Sequence, residues 1–295
     1  MKISSFFMIL CAAAVLAAFL FAQTPIPPVE EIPAGTEPAT EPVPTAPVTG
    51  WQETDGRRFY LGDDGVPLTG WQTVDDRLYY FREDGSMARG RVEIEGVSRF
   101  FTADGGEILF TNIWNPVPEG YEPELTDLGA YYGKSGMQVD PVCLADLTAM
   151  IDACNAAGHR AYVISAYRSF EHQAELFDGK VARLMAGGLS RADAEAEAVT
   201  EVLRPGTSEH HLGLAVDIID TNLWALDERQ ADMPAQQWLM EHSWRYGFIL
   251  RYPPEKTAVT GIIFEPWHYR YVGHDLAAEL YETGLTLEEY LDSLN

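Results

Sequence analysis

Residues 208–217 read SEHHLGLAVD and residues 265–268 read EPWH, and these two stretches decide how the chain is interpreted. They offer histidines, the carboxylate of Asp217 and a spare carboxylate at Glu265. A catalytic zinc site typically uses three protein ligands and leaves the fourth position for water. Glu265, which precedes His268 by three residues, is placed to take a proton from that water. The two stretches therefore predict a zinc hydrolase.

The spacing within the first stretch favours a strand that carries Asp217. If residues 213–218 form a strand, Asp217 shares a face with Gly213 and Ala215, while the larger apolar residues face the other way. Such small neighbours leave room for a metal or a substrate beside Asp217. Gly213 also suits a turn, which lets the preceding histidines meet Asp217 across a bend.

Spacing alone leaves one choice of ligand open. His210 and His211 are adjacent, and either could bind the metal. Pro266 argues against a helix in the second stretch, so we expect Glu265 and His268 at a strand end or in a loop.

Further motifs flank these stretches in an order that is typical of one family. They are SAYRS at 165–169, Gln173, YGFILRYP at 246–253, Lys256, TG at 260–261 and HYRYVG at 268–273. With them, the chain resembles the VanY-type D-alanyl-D-alanine carboxypeptidases. These zinc peptidases share their architecture with VanX-type dipeptidases and L,D-carboxypeptidases. The resemblance covers roughly Tyr121 to Asn295.

The resemblance implies a role for each matching residue. It makes His210, Asp217 and His268 the zinc ligands, and so favours the first of the two adjacent histidines. It makes Glu265 the general base, and Arg168 the residue that faces the substrate carbonyl and the developing oxyanion. The remaining matches are substrate-contacting or pocket-wall positions: Ser208, Gln173, Trp267 and Tyr269.

These roles together imply metal-assisted peptide hydrolysis. The leading hypothesis is an exported zinc D,D-carboxypeptidase that removes the terminal D-Ala from peptidoglycan stem peptides. An L,D-carboxypeptidase or a wall endopeptidase of the same zinc family is the alternative, since these enzymes differ in the shape of the pocket. A non-catalytic wall-binding protein with a decayed zinc domain is an alternative from another class. The intact set of ligands and base disfavours it.

The N-terminus has the pattern of an export signal. Lys2 precedes an apolar run of 17 residues from Phe6 to Ala22, as in signal peptides. That length is also at the low edge of a membrane span, so an uncleaved anchor within residues 1–22 is the alternative. Residues 23–49 hold eight prolines and no aromatic residue, which predicts an extended spacer.

A repeat with a period of 20 residues occupies residues 50–110. The dipeptide Asp64-Gly65 recurs at 84–85 and at 104–105, and each unit predicts a β-hairpin with an Asp-Gly turn. The units resemble the choline- and glucan-binding repeats of bacterial surface proteins. That resemblance implies aromatic cages for a choline-bearing polymer, or attachment to wall glycan. The aromatic residues concerned are Trp51, Tyr60, Trp71 and Tyr80.

This copy of the repeat departs from the choline-binding pattern. Arg58 and Leu78 stand where an aromatic residue is expected before the tyrosine pair, and Arg91 replaces the tryptophan of the third unit. Two roles for the aromatic residues therefore stay open. They stack the hairpins on one another, or they bind a wall ligand.

The charge of the chain narrows the choice of partners. It carries 45 acidic and 20 basic residues, a formal net charge of −25. This balance argues against nucleic acid and anionic lipid as partners. Peptidoglycan stem peptides are the expected substrate, and we expect an extracellular, wall-associated protein.

The region from 115 to 295 is long enough for one domain with its own core. We predict an α+β fold, in which flanking helices cover a small antiparallel sheet that carries the zinc site. A linker at about 111–119 joins it to the repeats. We expect helices near 142–157, 170–187, 191–203, 235–246 and 275–284, and strands near 160–165, 213–219, 259–264 and 267–272. Cys143 and Cys154 lie about three turns apart in the first helix, too far for a disulfide, and are expected to be small core residues.

Overall fold

The computed structural model describes residues 47–117 and 120–295. The predicted signal or anchor at 1–22 and almost all of the proline-rich spacer lie outside these residues. Within the described ranges, no helix combines the length and the apolar character that a bilayer crossing requires.

The repeats form three consecutive β-hairpins. Their strands pair antiparallel, and a short seventh strand extends the third hairpin. The strands are β1 (Gly50–Thr54), β2 (Arg57–Leu61), β3 (Gly70–Val74), β4 (Arg77–Phe81), β5 (Gly90–Ile94), β6 (Val97–Phe101) and β7 (Glu107–Ile108).

The hairpin turns lie elsewhere than the recurring Asp-Gly dipeptides, so that detail of the prediction was wrong. The first turn is Asp55-Gly56, whose φ angles of 51° and 69° are both positive, as a two-residue hairpin turn of type I′ requires. Asp64-Gly65 instead forms the turn that leads to the next hairpin, where Asp64 Oδ1 accepts the Val66 N–H at 2.9 Å. Aspartate is favoured at this position because its side chain can accept a hydrogen bond from the backbone N–H two residues ahead.

The region from 120 to 295 contains a four-stranded antiparallel sheet in the strand order β10-β11-β13-β12. A two-stranded ribbon, β8 with β9, precedes it along the chain. The strands are β8 (Thr126–Asp127), β9 (Gln138–Val139), β10 (Ala161–Ser165), β11 (Ala215–Asp220), β12 (Phe248–Leu250) and β13 (His268–Tyr271). The predicted α+β class with a small antiparallel sheet is confirmed.

Seven helices surround this sheet in the described part of the chain. They are α1 (Pro141–Ala156), α2 (Phe170–Ala186), α3 (Arg191–Ala198), α4 (Pro234–His242), α5 (Thr257–Thr260), α6 (His274–Thr283) and α7 (Leu287–Ser293). Local sequence explains several boundaries. The Asp140 side chain caps α1 ahead of Pro141, and Thr286 forms a capping box with Glu289 at the start of α7.

Helix α1 supplies one side of the main core. Its buried residues recur at helical spacing and pack against the sheet strands. They are Cys143, Leu147, Met150, Ile151 and Cys154. Both cysteines are free and buried, as expected for small core residues.

The predicted strand at 259–264 was wrong. Residues 257–260 form the short helix α5, and Gly261 ends it with a φ of +77°. The apolar residues that follow Gly261 belong to no strand and form a loop. The strand β12 and the helix α7 were not predicted, because three and seven residues give too little periodicity to detect.

The third hairpin packs directly on the C-terminal helices. Phe100, Ile108 and Phe110 share a core with α6 and α7, and the Ala103 N–H donates to the Tyr290 hydroxyl at 2.9 Å. The segment predicted as a linker is also packed in its described part, since Thr111 and Asn112 are buried. The chain from β5 to Val117 is therefore anchored to the region from 120 to 295.

Candidate active site

Two neighbouring strands and one tight turn deliver the three candidate ligands. Asp217 and His268 are directly opposite each other in the antiparallel pair of β11 and β13. His210 comes from a 3-10 turn, Glu209–Leu212, that Ser208 caps and that Gly213 ends in the left-handed conformation at a φ of 72°. The predicted bend between histidine and aspartate is thus present. It folds His210 back onto the face that carries Asp217.

The distances from Asp217 to the two histidines match those of a tetrahedral metal site. Asp217 Oδ1 lies 3.3 Å from His210 Nε2 and 3.3 Å from His268 Nδ1. Ligand atoms at zinc–nitrogen and zinc–oxygen distances in a tetrahedron are separated by roughly 3.3 Å. Asp217 Oδ1 is also buried without a hydrogen-bond partner among the described residues. Two imidazoles and one carboxylate oxygen suit zinc, so these residues fit the metal that the sequence predicts.

Hydrogen bonds orient His210 and explain the other fate of His211. His210 Nδ1 lies 2.7 Å from the Ala166 carbonyl, which fixes its proton there and leaves Nε2 free for a metal. In His211, Nε2 accepts the Gly206 N–H at 3.1 Å and Nδ1 lies 2.7 Å from the Arg168 carbonyl. Both ring nitrogens of His211 are thus engaged. It supports the backbone around Arg168 and does not point to the cluster.

Burial and charge set the protonation of the cluster. Burial lowers the pKa of His210 to about 4, which keeps this imidazole neutral. Burial opposes ionisation of Asp217, but the facing His210 and His268 outweigh it and hold the pKa of Asp217 well below its usual value. Burial likewise opposes a charge on His268, yet Asp217 and Glu209 raise its pKa to about 9. The carboxylates of Asp217 and Glu209 therefore favour a positive charge at the cluster, which a proton or a metal can supply.

Glu265 stands beside the cluster without joining it. Its Oε2 lies 3.6 Å from His268 Nδ1, and its side chain lines the same cleft. Burial raises the pKa of Glu265 to about 8, and the Asp217 charge adds to the rise against the opposing effect of His268. A tight turn holds the position, because the His268 N–H donates to the Glu265 carbonyl at 3.2 Å. A carboxylate with a pKa near neutrality is suited to general base work.

Arg168 reaches the cluster from the segment after β10. Its Nη2 donates to Ser165 Oγ at 2.9 Å and lies 3.3 Å from Asp217 Oδ2, while its Nη1 donates to Gln173 Oε1 at 2.7 Å. Gln173 is fully buried, and its Nε2 donates to the Leu203 carbonyl at 2.6 Å. The amide predicted to contact substrate is therefore engaged at both ends. Its visible effect is to hold Arg168.

The cluster opens into a cleft of about 300 Å³. Ser208 and Trp267 line it, as expected, with an apolar wall that includes Leu203 and Ile262. Tyr269 does not line it in the described part of the chain. That side chain is fully buried in the main core, and its hydroxyl donates to Gln236 at 3.0 Å. Adjacent strand residues point to opposite faces, so Tyr269 turns away from the side that carries His268.

Two residues near the candidate ligands were not assigned a role from the sequence. Tyr252 lines the cleft, its ring centroid lies 4.8 Å from that of His268, and its buried hydroxyl has no partner among the described residues. Glu209, next to His210, is fully buried 3.5 Å from His268 Nε2. Both lie within motifs quoted above, at 208–217 and 246–253. Their position inside these motifs was the sequence feature that could have identified them.

The repeat aromatics contact each other across successive hairpins. Trp51 lies 5.3 Å from Tyr60 and 5.1 Å from Tyr79 of the next unit, by ring centroids. Arg58, which replaces an expected aromatic residue, places its guanidinium 4.4 Å from the Trp51 ring. In the second unit, Trp71 contacts Tyr80 and Phe101, and Arg99 lies 5.4 Å over its ring. Stacking is therefore observed, and arginines of this chain occupy cation–π positions.

Comparison with known families agrees with this geometry. The family model "D-alanyl-D-alanine carboxypeptidase", VanY, matches residues 136–274. A "Choline-binding repeat" model matches 68–114, and a "Putative cell wall binding repeat" model matches 49–66.

Among curated relatives, the D-alanyl-D-alanine carboxypeptidase of Enterococcus faecalis is 44% identical over 186 residues, which cover 63% of this chain and 66% of the relative. That of Enterococcus faecium is 31% identical over 199 residues, 64% of this chain and 58% of the relative. The chain thus spans less than two thirds of the length of each of these relatives.

The chain matches a larger share of the length of related solved structures. VanYB in complex with D-alanine-D-alanine is 44% identical, covers 63% of this chain and 97% of its own, and superposes with a TM-score of 0.57. The LdcB LD-carboxypeptidase is 28% identical, covers 70% of this chain and 95% of its own, and has the same TM-score of 0.57. These matches confirm the resemblance inferred from the motifs. The chain belongs to the VanY family of D-alanyl-D-alanine carboxypeptidases, with repeats of the choline-binding type ahead of the VanY domain.

Proposed function

We propose that this chain is a zinc-dependent D,D-carboxypeptidase that removes the terminal D-Ala from peptidoglycan stem peptides. The observation that carries the proposal is that His210, Asp217 and His268 come together inside one cleft. Glu265 lies beside them, with its Oε2 3.6 Å from His268 Nδ1. A related VanY mutant has been solved in complex with Zn(II), and VanYB with D-alanine-D-alanine.

His210, Asp217 and His268 are the residues that hold the metal. Zinc bound there would act as a Lewis acid and would lower the pKa of a bound water towards about 7. The neutral His210 and the ionised Asp217 are already in the protonation states that ligation needs, whereas His268 gives up a proton.

Glu265 is the proton carrier of the proposed reaction. Its carboxylate accepts the proton of the attacking water and returns it to the leaving amine of D-Ala. Burial and the neighbouring Asp217 favour the protonated carboxyl, so that the group both takes up and releases a proton near neutral pH. The turn that ties its carbonyl to the His268 N–H keeps the carboxylate beside the cluster.

Arg168 stabilises the charge that develops on the scissile carbonyl oxygen. Its side chain is only 13% exposed, and Ser165 and Gln173 already orient its guanidinium. The group therefore needs no reorganisation during the reaction. The Tyr252 hydroxyl, which has no hydrogen-bond partner among the described residues, offers one further donor in the cleft. Ser208 and Trp267 shape the wall against which the terminal residue rests.

The specificity is assigned to D,D cleavage, and L,D cleavage is the second candidate. The 44% identity to relatives named D-alanyl-D-alanine carboxypeptidase favours the first. The LdcB LD-carboxypeptidase has the same TM-score at 28% identity, so L,D cleavage remains the second candidate. The test is mass spectrometry of muropeptides treated with the purified protein beside a Glu265→Ala control. Loss of one D-Ala from pentapeptides supports the proposal, whereas cleavage of tetrapeptides alone moves the specificity to L,D.

The repeats attach the enzyme to the cell wall in this proposal. Family models for choline-binding and cell-wall-binding repeats support attachment, and export through the N-terminal segment is part of the same proposal. Sedimentation of the purified protein with isolated cell walls tests it. Retention that free choline reverses assigns a choline-bearing polymer, retention that choline does not reverse assigns wall glycan, and no retention contradicts attachment.

A further inference from the structure

Two buried polar atoms face each other behind the metal ligands, and neither has a hydrogen-bond partner among the described residues. They are Oε2 of Glu209 and Nε2 of His268, 3.5 Å apart. Nδ1 of the same imidazole points to Asp217 Oδ1. An imidazole that ligates a metal through Nδ1 carries its proton on Nε2, because a neutral ring has one N–H. That proton then points at Glu209.

Glu209 is itself held in place by two arginines. Its Oε1 accepts from Arg251 Nε at 2.9 Å and from Arg270 Nη1 at 3.0 Å. Two guanidinium groups therefore compensate one buried carboxylate. All three side chains are at most 1% exposed. Buried charges of this kind persist only where partners and geometry compensate for lost hydration.

The network continues from Arg251 to the last helix. Arg251 Nη1 and Nη2 donate to Glu288 of α7 at 2.8 and 2.6 Å, in a two-pronged pair. Glu288 Oε1 also accepts from Asn112 Nδ2 at 3.2 Å, in the segment that follows the third hairpin. Arg270 donates to the Leu109 carbonyl in the same segment. An unbroken chain of contacts therefore runs from His268 to α7 and to residues 109–112.

We propose that Glu209 is a positioning residue for the metal ligand His268. We further propose that Arg251 and Glu288 hold Glu209 in place, so that zinc affinity depends on the docking of α7. The inference rests on the proposed zinc site and assigns part of its affinity to residues outside the cleft. A carboxylate that accepts the far N–H of a ligating imidazole fixes the ring and raises the basicity of the ligand atom.

The test is the zinc dissociation constant of the purified full chain, measured by competition with a chromophoric chelator. Loss of a carboxylate behind a ligating histidine typically weakens metal binding 10–100-fold. We expect a loss of about tenfold or more for Glu209→Gln. For Glu288→Gln we expect a smaller loss, about threefold or more, because it acts through Arg251. The double variant should lose less than the product of the two factors, since both act along one path. Glu241→Gln, an exposed site on α4, is the matched control and should bind zinc like wild type.

A second readout separates positioning from stability. A purely structural role lowers the melting temperature of the metal-free protein and leaves the zinc-induced rise in melting temperature unchanged. Both variants binding zinc within about twofold of wild type would overturn the inference. If Glu209→Gln does not fold, Glu288→Gln decides by the same criterion. A wild-type protein without zinc affinity refutes the proposed zinc site instead, and the two failures are therefore distinguishable.

Discussion

Arg168 Nη2 lies 3.3 Å from Asp217 Oδ2, the carboxylate oxygen that faces away from the two histidines. Asp217 thus contacts the Arg168 cation through one carboxylate oxygen and faces the proposed metal position with the other. The pair is nearly buried, with side chains 13% and 5% exposed, so solvent screens it little. The residue that we propose to stabilise developing charge is therefore paired with a proposed metal ligand.

The replacement Arg168→Lys tests the planar geometry of this group. Lysine keeps the charge but cannot reach Ser165, Gln173 and Asp217 together, since it lacks the fork of the guanidinium. We expect kcat to fall about 10²-fold, as for loss of an oxyanion donor. Steady-state kinetics measures this, with Arg191→Lys, an exposed site at the start of α3 outside the cleft, as the control of unchanged rate. Equal rates for both variants would remove Arg168 from the mechanism.

The replacement Glu265→Gln tests the proton carrier. The amide keeps the size of the side chain but cannot accept a proton, so we expect kcat to fall 10²–10⁴-fold, by about the usual contribution of general base catalysis. Zinc content, measured by metal analysis of the purified variant, should stay equal to wild type because Glu265 is not among the clustered ligands. Retention of wild-type kcat would assign the base elsewhere.

Two tyrosines make a matched pair. Tyr252→Phe removes a hydroxyl without a partner among the described residues, so the free energy of unfolding should change little. If that hydroxyl binds substrate, kcat/KM falls about 10–100-fold, as for a hydrogen bond to a charged group.

Tyr269→Phe should behave in the opposite way, because its hydroxyl bonds Gln236 in the core. We expect a loss of about 1 kcal/mol in the free energy of unfolding and an unchanged kcat/KM. Urea unfolding and kinetics of both variants check the pair, and a reversed pattern would return Tyr269 to the pocket wall.

The repeats carry an ion pair whose stability contribution depends on pH. Burial opposes ionisation of Asp104, but hydrogen bonds from Arg77 and Thr102 outweigh it and lower the pKa of Asp104 to about 2. Because the folded pKa lies below the usual 3.8, this stability is present above pH 4 and is lost as the pH falls towards 2.

Comparison of the wild type with Asp104→Asn checks this dependence. Both side chains are about half exposed, at 45% and 54%, so the effect at pH 6 should be below about 1 kcal/mol. The difference in unfolding free energy between the two proteins should shrink from pH 6 to pH 3. A difference that does not change with pH contradicts the assignment.

Sequence predicted the class of the fold and the neighbourhood of the site because both follow from local patterns. Asp217 and Gly213 gave a strand after a bend, and the structure has that arrangement. The choice of His210 came from the family resemblance alone, because adjacent residues in a short turn are equivalent in spacing. Because successive residues of a strand point to opposite faces, a strand with His268 facing the cleft places Tyr269 on the other side.

The support behind the site could not be read from the sequence. Glu209 and Arg251 are separated by 42 positions, and Arg251 and Glu288 by 37. Contacts of that separation depend on how β12, α7 and the turn at Glu209 pack, which no local periodicity records. Charged residues in a sequence are expected at the surface, and only the fold shows that these are buried.

In the proposed reaction, the release of D-Ala depends on zinc held by His210, Asp217 and His268. The most direct measurement is the D-Ala released from a pentapeptide stem by metal-depleted protein as zinc is added stepwise. We expect negligible release without metal, a linear rise with added zinc, and saturation at one equivalent per chain. Release that is unaffected by metal depletion would rule out the zinc mechanism, and no release from the pentapeptide once zinc is bound would rule out D,D cleavage.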